Sequence, residues 1–189
     1  ESENENLFTG LTDKYSNFFE KRGYYHSWDC NCFDMRLDLD KFNMNYSVGD
    51  TIDGYLYRWA KLDDLDSILE CVSDAEESFV KYYKKPELYK EDNNQRVLIA
   101  LNEDEVVGTL IVSIETETKD LGCVGCTTVK HKYRGKHIGV NIVIVGTKYL
   151  KDINLPKANL SYTYTGMDHM YGYSGYEISC YYMMGRKKL

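Results

Sequence analysis

The sequence lacks any long hydrophobic run. No stretch approaches the roughly twenty apolar residues that a membrane-spanning helix needs, so we expect no membrane association. It also lacks a secretory signal, because residues 1–6 read ESENEN instead of a basic and then apolar segment. The first residue is Glu1 rather than methionine, so residue 1 need not be the start of translation. These features predict a cytoplasmic protein.

An excess of basic residues is also missing. The 189 residues carry a formal net charge of −7, whereas general nucleic-acid binders need surplus Lys and Arg to neutralise phosphates, so no nucleic-acid partner is expected. Positive charge is concentrated locally, at Lys130, Lys132, Arg134 and Lys136. The length suits one domain, or one domain plus a fragment of another.

The six cysteines include two closely spaced pairs, which raises the question of a metal site. Cys30 and Cys32 form a C-x-C pair, and Cys123 and Cys126 form a C-x-x-C pair, so a thiolate zinc site is conceivable. The second pair, however, lies in an apolar, strand-like stretch without the turn that presents two thiolates to one metal. We therefore predict reduced structural thiols and no metal.

Hydrophobic periodicity predicts alternating strands and helices in the second half of the chain. Alternation of period two indicates strands at residues 55–60, 96–101, 106–115, 121–130, 157–165 and 178–184. Helical spacing indicates one helix that starts near residue 63 and three more at residues 77–83, 140–152 and 167–173. This order predicts an α+β (mixed α/β) fold whose sheet is antiparallel and then parallel around a crossover helix, with helices on both faces.

The segment Arg134-Gly-Lys-His-Ile-Gly139 joins a predicted strand to the start of the long predicted helix. The first turn of a helix carries N–H donors without internal partners, and the macrodipole adds partial positive charge, so this turn suits a phosphate or pyrophosphate. The dinucleotide fingerprint is excluded because it needs three glycines at fixed spacing. The mononucleotide loop is excluded because no Gly-Lys-Ser/Thr sequence is present.

Two segments together resemble the Gcn5-related N-acetyltransferase (GNAT) superfamily. The phosphate loop of that family reads Gln/Arg-x-x-Gly-x-Gly/Ala, which residues 134–139 resemble, and its later Tyr-x-x-x-Gly-Phe/Tyr motif resembles residues 171–176 (YGYSGY). The resemblance covers residues 54–189. His137 departs from it by replacing the central glycine, and the imidazole is expected to fit if its φ is negative. The asparagine often found after the fifth strand of the family is also absent.

The resemblance implies transfer of an acetyl group from acetyl-CoA to a primary amine of an unidentified small molecule or peptide. Tyr171 would be the general acid that protonates the departing CoA thiolate. Backbone amides of residues 135–140 would hold the pyrophosphate, and the end of the fourth family strand would pair with the pantetheine arm. The implied cofactor-binding residues are Thr127, Thr128, Val129, Arg134, Gly135, Lys136, His137, Ile138, Gly139 and Val140.

The general base stays open. Family members often use a glutamate on the fourth strand, and residues 121–130 contain none. Candidates elsewhere are not assigned a role; they are Glu115, Glu117, Asp168 and His169. The alternative function is a catalytically silent acyl-CoA-binding sensor or scaffold of the same fold.

The N-terminal segment contains a second, shorter echo of the later motif. Residues 8–11 and 18–24 are similar to residues 164–167 and 170–176. We interpret residues 1–45 as the tail-like remnant of an upstream acetyltransferase-like repeat made of a helix plus strands, residues 46–53 as a linker, and residues 54–189 as the acetyltransferase domain. An unrelated helix–strand extension is the alternative.

Such a partial repeat cannot bury its own apolar face. Its aromatic residues should therefore pack on the main domain, on a partner chain in a homodimer, or on a missing upstream domain. Phe19 aligns with Tyr171 but has no hydroxyl, so we expect this copy to be structural.

Overall fold

The computed structural model describes residues 8–11, 16–26, 32–117 and 120–187. Within these residues, ten strands form one sheet in the order β1-β10-β3-β9-β8-β7-β6-β5-β4, and β2 pairs with β10. The strands are β1 (Phe8–Leu11), β2 (Tyr25–His26), β3 (Cys32–Asp38), β4 (Thr51–Ile52), β5 (Tyr55–Trp59), β6 (Gln95–Asn102), β7 (Glu105–Ile114), β8 (Leu121–Val129), β9 (Lys157–Tyr164) and β10 (Glu177–Arg186). The α-helices are α1 (Ser16–Glu20), α2 (Leu65–Ala75), α3 (Val80–Tyr83), α4 (Ile138–Asp152) and α5 (Asp168–Gly172).

The predicted fold class is confirmed. Consecutive strands from β4 to β8 pair antiparallel, whereas β8 and β9 are parallel and are joined by the crossover helix α4. Every strand and helix expected between residues 55 and 186 is present to within a few residues, except that a 3-10 turn (Glu77–Phe79) precedes α3. No helix in the described ranges is both long and apolar enough to cross a bilayer.

Helices cover both faces of the sheet and create two hydrophobic cores. Helix α4 packs on one face, where Ile142, Val145 and Leu150 are fully buried. Helices α2 and α3 pack on the other face, where Ile68 and Tyr83 are fully buried. Successive residues of β6 enter the two cores in turn, as the period of a strand requires.

Strand β3 lies between β9 and β10 and is antiparallel to both. Its side chains Phe33, Met35 and Leu37 are buried in the α4-side core. Strands were expected within residues 1–45, but the position of β3 inside the main sheet was not. Strand β4 lies within the predicted linker and pairs with β5.

The two similar segments end their short helices in the same way. The Tyr24 N–H donates to the Phe19 carbonyl at 3.1 Å, and the Tyr176 N–H donates to the Tyr171 carbonyl at 3.4 Å. Each aromatic pair is also in edge-to-face contact. A glycine in left-handed conformation precedes the second aromatic residue in both copies, Gly23 at φ 83° and Gly175 at φ 89°. The division at residue 45 stays a prediction, and residues 27–31 of this segment lie outside the described part of the chain.

Candidate active site

The parallel strands β8 and β9 separate after three paired residues. Their pairing runs from Leu121 with Lys157 to Cys123 with Asn159, and no further pair forms between the described residues of the two strands. Both strands nevertheless continue, β8 to Val129 and β9 to Tyr164. A gap therefore opens between their carboxyl ends, beside the start of α4.

A β-bulge shapes the β8 side of this gap. Ile111 pairs with Gly125 and Thr109 pairs with Thr128, so two residues of β8, Cys126 and Thr127, lie opposite one residue of β7. Cys126 takes a left-handed conformation at φ 50°, which is unusual for a residue with a side chain. The bulge turns the peptide between Cys126 and Thr127 out of the regular ladder.

Tyr171 on α5 reaches this bulge. Its hydroxyl lies 3.0 Å from Oγ1 of Thr127, so the two side chains connect α5 with β8 where strand pairing has ended. The side chain of Tyr171 is only 4% exposed. Burial raises the pKa of Tyr171 to about 12, although the hydrogen bond with Thr127 lowers it, so the phenol is protonated at neutral pH.

The turn before α4 presents a row of backbone donors. In the described part of the chain, the N–H groups of residues 135 to 140 form no hydrogen bond, and the first N–H of this region that does is that of Asn141, to the His137 carbonyl at 2.9 Å. Gly135 has φ 77°, a conformation that glycine adopts without strain. At Gly139 an added Cβ would lie 3.0 Å from Sδ of Met170, so the absence of a side chain allows α4 to approach α5.

His137 does not meet the condition under which its imidazole was expected to fit, a negative φ. Its φ is +59°, not negative, so the imidazole-bearing residue adopts the left-handed backbone that the family's glycine would adopt freely. Histidine is among the residues that tolerate this region better than β-branched residues do. The left-handed conformation of His137 therefore carries a conformational cost.

The basic residues of the turn do not share one role. Lys130 is 5% exposed and forms ion pairs with Glu70 at 2.7 Å and Glu105 at 2.9 Å. Although burial lowers its pKa, these contacts raise the pKa of Lys130 to about 12. Lys132 also pairs with Glu105 at 2.9 Å. The expectation that both lysines supply local positive charge is therefore wrong, because Glu105 and Glu70 neutralise it.

Arg134 and Lys136 differ from each other in their contacts. The Arg134 guanidinium donates to the carbonyls of Val129 and Ala75, each at 3.3 Å, and so ties the turn to β8 and α2. Lys136 forms no ion pair with the described residues, and its ammonium lies 5.0 Å from the ring of Tyr133. Lys136 is thus the turn's most available full positive charge.

Thr128 is one proposed cofactor-binding residue whose side chain points away from the gap. It is buried, and its Oγ1 lies 2.7 Å from Oγ1 of Thr109, which donates to the Tyr83 hydroxyl at 2.8 Å. The Tyr83 hydroxyl in turn donates to the Cys126 carbonyl at 2.5 Å. Sequence reasoning missed Tyr83 and Thr109, because nothing local in the sequence indicates that they meet β8.

The candidate bases stay without an assigned role, and burial does not activate the Cys123 and Cys126 thiols of β8. Asp168 accepts a hydrogen bond from the Gly166 N–H at 3.0 Å, and His169 is exposed. Burial raises the pKa of the Cys123 and Cys126 thiols, the latter to about 11. In the described ranges, no three His, Cys, Asp or Glu side chains come together as metal ligands; Cys30 lies outside these ranges.

A model of the Acetyltransferase (GNAT) family matches residues 56–173, more than half of the chain, and spans β8, α4 and α5. The chain belongs to the GNAT family. No curated protein sequence matches it. The resemblance inferred from residues 134–139 and 171–176 is thereby confirmed.

Solved GNAT structures share the fold at low sequence identity. The glucosamine N-acetyltransferase region of a fungal multi-domain GH3 β-N-acetylglucosaminidase superposes with a TM-score of 0.76 at 20% identity, over 95% of this chain and 24% of that one. A GCN5-related N-acetyltransferase from Sphaerobacter thermophilus gives 0.67 at 19% identity, over 97% and 59%. Glucosamine-6-phosphate N-acetyltransferase from Arabidopsis thaliana gives 0.54 at 17%, over 67% and 93%. The chain thus spans less than two thirds of the first two of these proteins.

Proposed function

We propose that this GNAT protein is an N-acetyltransferase that moves an acetyl group from acetyl-CoA to a primary amine of a small molecule or peptide. The observation that carries the proposal is the row of N–H groups at residues 135 to 140, which have no hydrogen-bond partner among the described residues and lead into α4 beside the gap between β8 and β9. Backbone donors at a helix start bind a diphosphate. Lys136 adds a full charge there. No metal is required.

The gap would receive the rest of the cofactor. The pantetheine arm is a chain with amide groups, and it can add to the free edge of β8 at Thr127 to Val129 as an extra strand would. The acetyl thioester then lies at the bulge, next to Tyr171. The Thr128 hydroxyl is already hydrogen-bonded to Thr109, so the backbone of Thr128, rather than its hydroxyl, would contact the pantetheine arm.

The chemistry follows from this placement. The amine loses a proton to water or a base, and its nitrogen attacks the thioester carbon, which forms the C–N bond and an oxyanion that backbone N–H groups stabilise. As the carbonyl reforms, the C–S bond breaks, and the thiolate sulfur takes a proton from the Tyr171 hydroxyl. The nitrogen then loses its second proton to solvent, and solvent returns one proton to the Tyr171 phenolate. The general base stays unassigned.

The first experiment is binding and turnover in parallel. Calorimetry with acetyl-CoA should give one site per chain, and an amine panel should release free thiol only when the acceptor is present. Glucosamine and glucosamine 6-phosphate belong in the panel because two structural neighbours are named for these acceptors. Failure to bind acetyl-CoA at millimolar concentration would contradict the proposal.

A second candidate function is a silent acyl-CoA-binding sensor or scaffold. The absence of a glutamate from β8 and the deep burial of the Tyr171 hydroxyl favour it. Stoichiometric binding of acetyl-CoA with no thiol released across the amine panel would support this alternative. Turnover with any amine would exclude it.

We also propose that residues 1–45 derive from an acetyltransferase-like repeat. The matched hydrogen bonds and glycine conformations at Gly23 and Gly175 support this interpretation. The gene's reading frame tests it: an upstream sequence similar to residues 54–160 is expected, and a start codon directly before Glu1 would contradict it.

A further inference from the structure

We propose that Tyr83 is a positioning residue that fixes the β8 bulge through a directional chain of buried hydroxyl groups. This inference rests on the proposed function and extends it to a helix that the sequence motifs do not include. Tyr83 is fully buried at the end of α3, on the sheet face opposite to Tyr171. Its hydroxyl contacts the carbonyl of Cys126 at 2.5 Å.

The single proton on each hydroxyl group fixes which group donates and which accepts in this chain of hydrogen bonds. A carbonyl can only accept, so the single hydroxyl proton of Tyr83 is committed to the Cys126 oxygen. The Tyr83 oxygen then accepts from Oγ1 of Thr109 at 2.8 Å. Because that proton is used, Thr109 must accept from Oγ1 of Thr128 at 2.7 Å. The order is therefore Thr128 to Thr109 to Tyr83 to the Cys126 carbonyl.

The chain controls one peptide plane. A trans peptide is planar, with its C=O and N–H pointing in opposite directions. When Tyr83 holds the Cys126 carbonyl on the α3 side of the sheet, the Thr127 N–H must point away from Tyr83. The Tyr171 hydroxyl meets the Thr127 side chain at 3.0 Å from α5. Residues 126 to 128 are thus held by a tyrosine on each side.

We call the series of hydrogen bonds from Thr128 to the Cys126 carbonyl the clamp. The conformation of Cys126 explains why the clamp is needed. A φ of 50° is unfavourable for a residue with a Cβ, so the bulge would relax towards a regular strand without support. Leaving a buried carbonyl or hydroxyl unpaired is costly, and each member of the chain satisfies the next. The chain holds the Thr127 N–H where it can donate to the oxyanion formed from the thioester. Tyr83 thereby acts on the rate through Thr127 and does not touch the substrate.

The test compares Tyr83→Phe with Tyr89→Phe. The Tyr89 hydroxyl donates to the Tyr83 backbone carbonyl at 2.7 Å, so its loss perturbs the same region without touching the bulge. Tyr83→Phe is expected to lower kcat about 5- to 10-fold, with the KM for acetyl-CoA changed less than twofold. Tyr89→Phe is expected to leave kcat within twofold. Equal kcat in Tyr83→Phe and the wild type would overturn the proposal.

A second pair of variants tests the chain at its middle. Thr109→Val removes the hydroxyl that links Thr128 to Tyr83, whereas Thr109→Ser keeps it. We expect kcat to fall in the valine variant and to recover in the serine variant. A role in packing alone predicts the reverse order, because valine preserves the branched shape and serine does not.

Amide hydrogen exchange separates a failure of this inference from a failure of the proposed function. Amide exchange at residues 126 to 129 should accelerate at least tenfold in Tyr83→Phe and stay unchanged in Tyr89→Phe. This expectation holds whether or not the protein turns over acetyl-CoA. Wild-type protein that binds no acetyl-CoA would refute the function and leave the exchange result to decide on the clamp. Unchanged exchange in Tyr83→Phe would refute the clamp even in an active enzyme.

Discussion

The Tyr171 hydroxyl and Oγ1 of Thr127 lie 3.0 Å apart, in a contact that joins α5 to β8 beyond the last paired residue of β8 and β9. One side chain comes from the helix after β9, and the other comes from the bulged end of β8. The contact therefore places a protonated phenol at the gap that we assign to the acetyl thioester. This pair is the most direct link between the fold and the proposed chemistry.

Tyr171→Phe should lower kcat by about 100-fold or more, because it removes the proton donor but keeps the ring. The KM for acetyl-CoA should change little, since the diphosphate donors are untouched. Steady-state kinetics with an identified acceptor measures both. Tyr176→Phe is the matched control, because Tyr176 is equally buried and its hydroxyl lies 3.0 Å from Oγ1 of Thr147 rather than beside Thr127. A Tyr171→Phe enzyme with full turnover would remove Tyr171 from the mechanism.

Lys136→Ala should weaken binding of CoA about fivefold, and the deficit should shrink as salt concentration rises. The reason is that Lys136 carries the turn's available charge. Lys132→Ala is the control, because Lys132 already pairs with Glu105 and should contribute less. Calorimetric titrations at two salt concentrations give the comparison. A larger loss from Lys132→Ala would show that the charge distribution of the turn has been misassigned.

His137→Gly should stabilise the fold by up to about 1 kcal/mol. Removing a Cβ from a left-handed residue relieves about 1 to 2 kcal/mol of backbone strain, and the added freedom of glycine in the unfolded chain offsets part of it. Gly135→Ala, at φ 77°, should destabilise by a similar amount. Urea denaturation measures both free energies of unfolding. Loss of stability in His137→Gly would indicate that the imidazole makes a compensating contact.

The stability of the fold should decrease at low pH and at high pH, and different titrating groups cause the decrease at each end. Hydrogen bonds from Lys130, Lys132 and Tyr133 lower the pKa of Glu105 from 4.5 to about 2. The unfolded chain therefore binds this proton first, and the contribution of Glu105 is present above pH 4.5 and lost as pH falls towards 2. Glu105→Gln should flatten this acid limb in thermal unfolding; an unchanged limb would contradict the role of Glu105.

The alkaline limb comes from buried phenols and thiols. Burial raises the pKa of Tyr171 and Tyr89 to about 12, and that of Cys71 to about 11. Because the folded state keeps these protons longer than the unfolded state does, stability is complete below about pH 9 and decreases as pH rises through 10 to 12. Thermal unfolding from pH 8 to 11 should show this decrease, whereas a constant midpoint across that range would contradict it.

The sequence predicts local features of this fold well and long-range pairing poorly. Alternation in β9 and the apolar stripe of α4 are local patterns, and both elements were found where expected. The turn at residues 134–139 is likewise a local signal, since its two glycines and its two basic residues lie within six consecutive positions. This turn and the motif at residues 171–176 together were enough to indicate the family.

What could not be predicted depends on residues far apart in the sequence. Nothing local indicates that β3 pairs with both β9 and β10. The bulge at Cys126 has no glycine at its left-handed residue to reveal it. The contacts of Lys130 with Glu70, and of Tyr83 with the Cys126 carbonyl, bring together residues 60 and 43 positions apart. The positions of charged and hydroxyl residues in the sequence therefore could not show which side chains face a ligand and which pair with each other inside the protein.

A crystal structure of the protein with bound CoA tests the central claim most directly. We expect diphosphate oxygens within about 3 Å of several backbone nitrogens between Gly135 and Val140, with the pantetheine arm along Thr127 to Val129 and the sulfur near the Tyr171 hydroxyl. A diphosphate bound elsewhere, with these nitrogens facing only solvent, would contradict it.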